Sequence, residues 1–449
     1  MTTRRHRVVI VGGGFGGLAA AKALARVGVE IVLIDRRNHH LFQPLLYQVA
    51  TAALSPSEVA WPIRHLLRHQ NNVRVLMGTV IGIDIEQRHV LLEDGEPEPF
   101  DSLVLATGAQ HAYFGHNEWE RFAPGLKTVE DATAIRRKLL LALEAAEREI
   151  DPDRRRALLT FAIIGAGPTG VEMAGAIIEL GRASIRGQFN SLEPSDLRVV
   201  LIEGGERVLP NFAPDLSDYA LAALRRMGVE VELGQMVSAV DAEGVNYGER
   251  RLATHTVVWA AGVAASPVAK WLGIEGDRAG RVTVGPDLSV AGLDNIYVIG
   301  DVASVMQDNG KPVPGVAPAA KQEGKYVAHA IEQKLNGQTP DPFRYKHAGD
   351  LATIGKSSAV IDFGFTKVTG WLAWWLWGFA HIYFLIETRT RIFITMSWLW
   401  IYLTGQRSAR LITHGDATCA RPLEEVDENQ RSETTTVSGL ASRRSRNQI

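Results

Sequence analysis

Two stretches of this chain carry glycines at the spacing G-x-G-x-x-G, a spacing suited to gripping a pyrophosphate. The first is RVVIVGGGFGG, with Gly12, Gly14 and Gly17; the second is FAIIGAGPTGVEMAG, with Gly165, Gly167 and Gly170. The first glycine of each permits a tight turn, the second lets backbone approach phosphate, and the third lets a helix pack on the preceding strand. The helix N-terminus that follows offers unpaired N–H groups and a positive dipole end. An acid closes the next apolar run in both cases: Asp35 lies 18 residues after Gly17, and Glu203 lies 33 after Gly170. A carboxylate there accepts a hydrogen bond from a ribose 2′-hydroxyl and repels a 2′-phosphate. Glu203 is followed by two glycines, and no arginine comes before Arg207. The second site is therefore expected to take NADH rather than NADPH. One such motif is a weak signal; two, each with its strand and acid, predict two dinucleotides in one protein.

Other chemistries are narrowed by what the chain lacks. It has one cysteine, Cys419, so no intrachain disulfide and no redox dithiol can form, which suits a reducing compartment. His39 and His40 read as loop residues, nothing else builds a metal site, and no metal is expected. A formal net charge of −2 gives no global pull toward nucleic acid, and no nucleic-acid partner is expected. The six residues MTTRRH before the first strand are expected to leave no room for a signal peptide.

The elements that must position these residues read as α/β. At 449 residues, 46% apolar, with 43 glycines, the chain suits two or three glycine-punctuated domains. Apolar β-branched runs alternate with helical stretches, the pattern of a parallel sheet covered on both faces. Strands are predicted at 7–11, 30–34 and 73–77, a helix at 56–70, and an apolar strand ending in Thr107-Gly108. A charged helix at 130–149 leads into the second unit, whose polar stretch 183–197 reads as a loop or helix extension. That unit closes with HTVVWAAG, ending at Gly262, which matches LVLATG in position and kind. DNIYVIGDVA then returns to the first domain, and Gly300-Asp301 would present a carboxylate at a strand's C-terminal edge. A helix at 317–335 and short strands within 346–365 follow. The predicted fold is thus two Rossmann-like dinucleotide-binding domains, one inserted in the other, plus a small C-terminal membrane-docking region. The boundaries read 1–120 with 290–345, 121–289, 346–418, and a polar disordered tail at 419–449.

The order GGGFGG, LVLATG, GAGPTGVE, VVWAAG, IGDVA resembles the two-dinucleotide flavoprotein reductases. HLFQPLLYQVATAALSPSEVAWPIR, APAAKQEGKYVA and the tryptophan-rich C-terminal segment narrow the resemblance to the type II NADH:quinone oxidoreductases, over residues 7 to 412. The resemblance implies one bound FAD per chain, held by Gly12, Gly14, Gly17 and Asp35 with Asp301 on the ribityl chain. It implies NADH on Gly165, Gly167, Gly170 and Glu203, and hydride transfer followed by two-electron reduction of a membrane quinone without proton pumping. By the same resemblance Glu172 lies near nicotinamide and flavin, and Gln322 lies beside the isoalloxazine at the quinone pocket. The chain departs from the family signature A-Q-x-x-x-Q, because Pro318 stands where the first glutamine would be.

The segments GWLAWWLWGFAHIYFLI (370–386) and IFITMSWLWIYL (392–403) fall short of the roughly 20 apolar residues of a membrane span. Two helices lying in the lipid interface fit better, with Arg389, Arg391, Arg407 and Arg410 near lipid phosphates. Residues 370–410 are thus expected to dock on a bilayer, as a peripheral protein on the cytoplasmic face of the inner (plasma) membrane. The same aromatics would also suit a homodimer interface. Rival readings are a soluble reductase of a ferredoxin or rubredoxin carrier, which leaves the aromatic segment unexplained, and an NADH-sensing flavoprotein of the apoptosis-inducing-factor type. A sulfide:quinone oxidoreductase needs cysteines that this chain does not have.

Overall fold

The strand His6–Val11 lies between Val29–Asp35 and Ser102–Leu105, parallel to both. Val73–Met77 extends the sheet on one side and Leu293–Val298 on the other, with Ser289–Val290 antiparallel at the edge. A four-stranded parallel sheet repeats the plan: Thr160–Ile164 lies between Arg198–Ile202 and Thr256–Trp259, with Val229–Glu232 outside. This computed structural model describes residues 4–307, 310–407 and 409–412, so the predicted 419–449 tail lies outside it.

The repeat runs further than the glycine motifs disclose. In each unit an antiparallel three-stranded meander immediately precedes a parallel strand of the main sheet, Ser102–Leu105 in one and Thr256–Trp259 in the other. It is built from Val80–Asp84, His89–Leu92 and Glu98–Pro99 in one, and from Val237–Val240, Gly244–Tyr247 and Arg250–Ala253 in the other. Both of these strands then run into one shared ribbon, Ala109–His111 paired antiparallel with Val263–Ala265. That ribbon brings the C-terminal edges of the two sheets together.

The inner strands carry unbroken apolar runs such as Val8–Val11 and Ile31–Ile34 because both faces are covered. Along Thr160–Ile164, Phe161 and Ile163 enter one hydrophobic cluster while Ala162 and Ile164 enter another. The first of these clusters also takes in Phe42 to Trp61 and the C-terminal Ala373, Trp377, Leu385 and Ile394. The aromatic helices are therefore part of the core on one side. They span Gly370–Phe384 and Thr388–Thr404, following a meander of Asp350–Thr353, Ala359–Asp362 and Lys367–Thr369. No helix among the described residues is long and apolar enough to cross a membrane.

One predicted element is corrected. The expected helix at 56–70 is two short helices, Pro56–Val59 and Ile63–Leu66, separated by a strand, Ala60–Pro62, that pairs with His39–Leu41. Pro62 has no N–H to continue a helix and biases Trp61 to extended backbone. The helices Val129–Arg148 and Ala317–Leu335 stand where the sequence reading placed them, at 130–149 and 317–335.

Candidate functional site

The two fingerprints fold into matching turns. Gly12 and Gly165 have φ of +106° and +100°, a conformation open to glycine but strained for other residues. A Cβ at Gly17 would fall on the carbonyl oxygen of Gly12, and one at Gly170 on that of Gly165. The acids hold the turns from the far side. Asp35 Oδ2 accepts the Gly13 N–H at 2.6 Å, and Glu203 Oε2 accepts the Ala166 N–H at 2.6 Å. Their second oxygens accept from Arg37 N–H and Gly205 N–H, each at 2.7 Å. A carboxylate offers about four lone-pair sites, so both retain capacity for ribose hydroxyls.

The space for a ligand lies at the middle glycine. A Cβ on Gly14 or Gly167 would meet nothing within 4 Å, and each residue is the N-cap of its helix, Phe15–Ala23 and Pro168–Ile185. Open room over unpaired helix N–H groups is what a pyrophosphate needs, so the residues present fit two dinucleotides.

Beside the shared ribbon, at Ala109 and Val263–Ala265, a cavity of about 220 Å³ is lined by Gly300, Asp301, Gly315, Val316, Ala320 and Glu323, among others. Asp301 lies 3.9 Å from Lys127 Nζ. Glu323 is 2% exposed and accepts the Gly300 N–H at 2.5 Å. Burial pushes its carboxyl up to about 7, with Asp301 adding to the shift. Lys127 and Glu323 were not anticipated. Glu323 was readable in principle: it falls on the stripe Ala319, Ala320, Val327, Ile331, the buried face of Ala317–Leu335, where an acid is out of place. Thr107 Oγ1 meets Ser266 Oγ at 2.5 Å, and Ser266 N–H donates to Gly108 O, tying the segments after Ser102–Leu105 and Thr256–Trp259 together beside Gly262.

Glu172 sits in the second turn of Pro168–Ile185, half-buried, and lines one cavity with Tyr47. Burial pushes its carboxyl up to about 8, and an N–H from Thr353 opposes the shift. The Gln322 amide is engaged at both ends: its Nε2 donates to Lys346 O and its Oε1 accepts Lys346 N–H, both at 2.9 Å. Both ends of the amide thus clamp the connection that follows the helix. The neighbouring Lys321 instead places its ammonium 5.1 Å from the Phe15 ring centre and 5.3 Å from that of Phe384. Burial lowers it to about 8. His40 is buried, with Nδ1 2.9 Å from Gly13 O, and burial lowers it to about 4.

The arginines expected at lipid phosphates are mostly spent inside the protein. Arg391 caps the first aromatic helix through Leu385 O and Tyr383 O. Arg407 is buried against Thr51 O, Ala176 O and Glu179, and Arg410 bonds Gln188 and Ser184. Arg389 alone of the four is exposed, over the Phe393 ring. The physical reason is the tight turn after Phe384 and the return of the chain along Pro168–Ile185, which both leave backbone carbonyls needing donors.

Residues 6–324 match the pyridine nucleotide-disulphide oxidoreductase family, and residues 347–407 match the NDH2 C-terminal domain. The type II NADH:quinone oxidoreductase Ndh of Mycobacterium tuberculosis is 44% identical, covering 95% of this chain and 94% of that protein. NdhA of the same organism is 45% identical over 91% and 90%. Among solved structures, NDH2 from Plasmodium falciparum in complex with NADH has a TM-score of 0.83 at 21% identity, covering 92% of this chain and 100% of that one. The sulfide:quinone oxidoreductase of Aquifex aeolicus shares the fold at a TM-score of 0.70 and 19% identity, over 91% and 96%.

Proposed function

The chain belongs to the type II NADH:quinone oxidoreductases, and on that premise we propose how its residues divide the reaction and where it docks. It is an FAD-dependent enzyme that oxidises NADH and reduces a quinone. When bound, FAD supplies acceptance of a hydride and release of two electrons. The first fingerprint with Asp35, Thr107-Gly108 and Gly300-Asp301 holds FAD. The second, with Glu203 and Gly262, holds NADH, and the shared ribbon keeps the two ligands in register. Alignment at contact distance is what the protein contributes to such a transfer. Lys321 offers a charged donor on the quinone side, where the helix lacks the family's first glutamine. Gln322 acts through the Lys346 connection it holds.

Glu172 is the proton donor as quinol forms. With its carboxyl near 8 it carries a proton at neutral pH, and that form is lost as pH rises. Quinone-dependent turnover is expected to fall as pH climbs through about 8, while flavin bleaching by NADH without quinone stays level. Stopped-flow traces between about pH 6 and 10 check this; matching profiles for both halves would remove Glu172 from the mechanism.

Docking of the enzyme on a bilayer rests on one observation: the two aromatic helices are apolar on both faces. Ala373, Trp377 and Ile394 face the core. Trp371, Trp375, Phe379 and Tyr383, four residues apart, are 68%, 57%, 71% and 65% exposed. Those four rings alone show roughly 500 Å² of surface to solvent, a patch typical of an interaction site. Tryptophan and tyrosine favour headgroup depth, and a quinone tail resides in lipid. The bilayer is the one that meets the NADH pool, on its cytoplasmic face. Truncation at 370 would open the core, so surface variants make the cleaner test. Replacing Trp371, Trp375 and Phe379 by serine should leave the protein at the bottom of a vesicle flotation gradient with turnover of a water-soluble quinone retained. Continued flotation would place the anchor elsewhere. A change from dimer to monomer in light scattering, with flotation intact, would make the patch a homodimer interface.

A further inference from the structure

A second cavity, of about 70 Å³, lies between the helix Pro168–Ile185 and the aromatic helices. It is far smaller than the roughly 300 Å³ or more of a ligand pocket. It has room for about two waters at ~30 Å³ each. One helical face supplies Glu172, Ala176 and Glu179 to its wall; Tyr47, Thr353, Trp377, Trp398 and Arg407 are among the others. Lys356 and Tyr402, both exposed, stand at its rim. Two carboxyls seven residues apart on one helix are separated by about 10 Å along the axis, and Ala176 is the only residue of that face between them on the wall.

The polar groups around the cavity are ordered. At the inner end Gln48 accepts from Trp398 Nε1 at 2.7 Å and donates to the Tyr47 hydroxyl at 2.9 Å, beside Glu172. At the outer end Glu179 accepts from Lys356 N–H at 2.7 Å and pairs with Arg407 Nη2 at 3.3 Å. Trp377, 2% exposed, has a buried Nε1 with no protein acceptor, a donor that a water in the cavity would satisfy. The titratable groups facing Glu172 across this space are Tyr47, Glu179, Lys356 and Arg407.

We propose that this cavity is a hydrated proton inlet: water between Glu179 and Glu172 returns to Glu172 the proton it gives up, with the Glu179–Arg407 pair positioning the outer end. The proposal rests on Glu172 as donor. The balance is simple. NADH brings two electrons and one proton as hydride, the second proton of the quinol leaves Glu172, and solvent replaces it through the inlet. No further oxidant or reductant is involved.

Ala176→Leu in the full-length flavin-loaded enzyme narrows the file and leaves both carboxyls in place. Quinone-dependent turnover should drop by roughly tenfold or more and its D2O effect should rise, with flavin bleaching by NADH unchanged as the check on fold and NADH site. Glu179→Gln should move turnover and the D2O effect in the same direction, and it carries the test should the leucine variant not retain flavin. Wild-type turnover and D2O effect in these variants, with Glu172→Gln slow, would overturn the inlet and leave Glu172 as donor. Wild-type turnover in Glu172→Gln as well would overturn both.

Discussion

Gly17→Ala is expected to yield a protein that does not retain FAD, whereas Gly170→Ala is expected to keep its flavin and lose reduction by NADH. The substitution is the same and the geometry nearly so. A Cβ at either position falls on the carbonyl oxygen of the turn's own first glycine, Gly12 or Gly165. That oxygen belongs to backbone pinned by a central strand, since Gly12 N–H donates to Ile34 O and Gly165 N–H to Ile202 O. Relief therefore needs the helix to lift from the sheet. Overpacking of this kind costs about 1–3 kcal/mol even where side chains can move, and here the displaced helix start is also the phosphate cradle. The flavin spectrum after gel filtration, and its bleaching on adding NADH, separate the two variants. Flavin retained in Gly17→Ala and lost in Gly170→Ala would reverse the assignment of the two sites.

Glu203→Ala should lower kcat/KM for NADH by about 10–100-fold, the worth of a hydrogen bond to a charged group at about 1.5–3 kcal/mol. Activity with NADPH should change less or rise, because removing the carboxylate also removes its repulsion of a 2′-phosphate. The preference for NADH thus narrows. Glu203 also braces the turn through Ala166 N–H and Gly205 N–H. Part of the loss is therefore a slackened cradle, and Glu203→Gln, which keeps an acceptor oxygen, should fall between the wild type and Ala. Steady-state kinetics with both nucleotides measure the ratio. An unchanged NADH/NADPH ratio in Glu203→Ala would show that selectivity is set elsewhere.

Much of the architecture was legible because it obeys local rules. The glycines, the terminal acids and the apolar strands encode a βαβ turn within thirty-odd residues. The break at Ala60–Pro62 was legible too, from Pro62, which the reading of 56–70 as one helix passed over. Less legible was anything that depends on which face meets which. The apolar all-round composition of 370–404 said that these helices avoid water. It did not say that Trp377 and Ile394 enter the core while Trp371 and Phe379 remain outside.

The charged residues divide the two kinds of knowledge most sharply. Asp35 and Glu203 act on turns in their own βαβ units, so spacing alone marked them. Glu172 was marked by the family resemblance, but its raised carboxyl comes from burial, in a cavity whose other walls include Tyr47 and Thr353, contributed by segments well over a hundred residues away in either direction. Glu323 gave only its place on the apolar stripe of its helix; Glu179 and Arg407 gave no local signal that competed with a solvent-facing reading, and Arg407 looked like a lipid contact. Sequence by itself determined two nucleotide cradles and the family to which they belong, because a phosphate turn is built from consecutive residues. Tertiary structure decided which acids are dehydrated, which arginines are consumed and which aromatics face outward, because desolvation depends on the far segments that close over a residue.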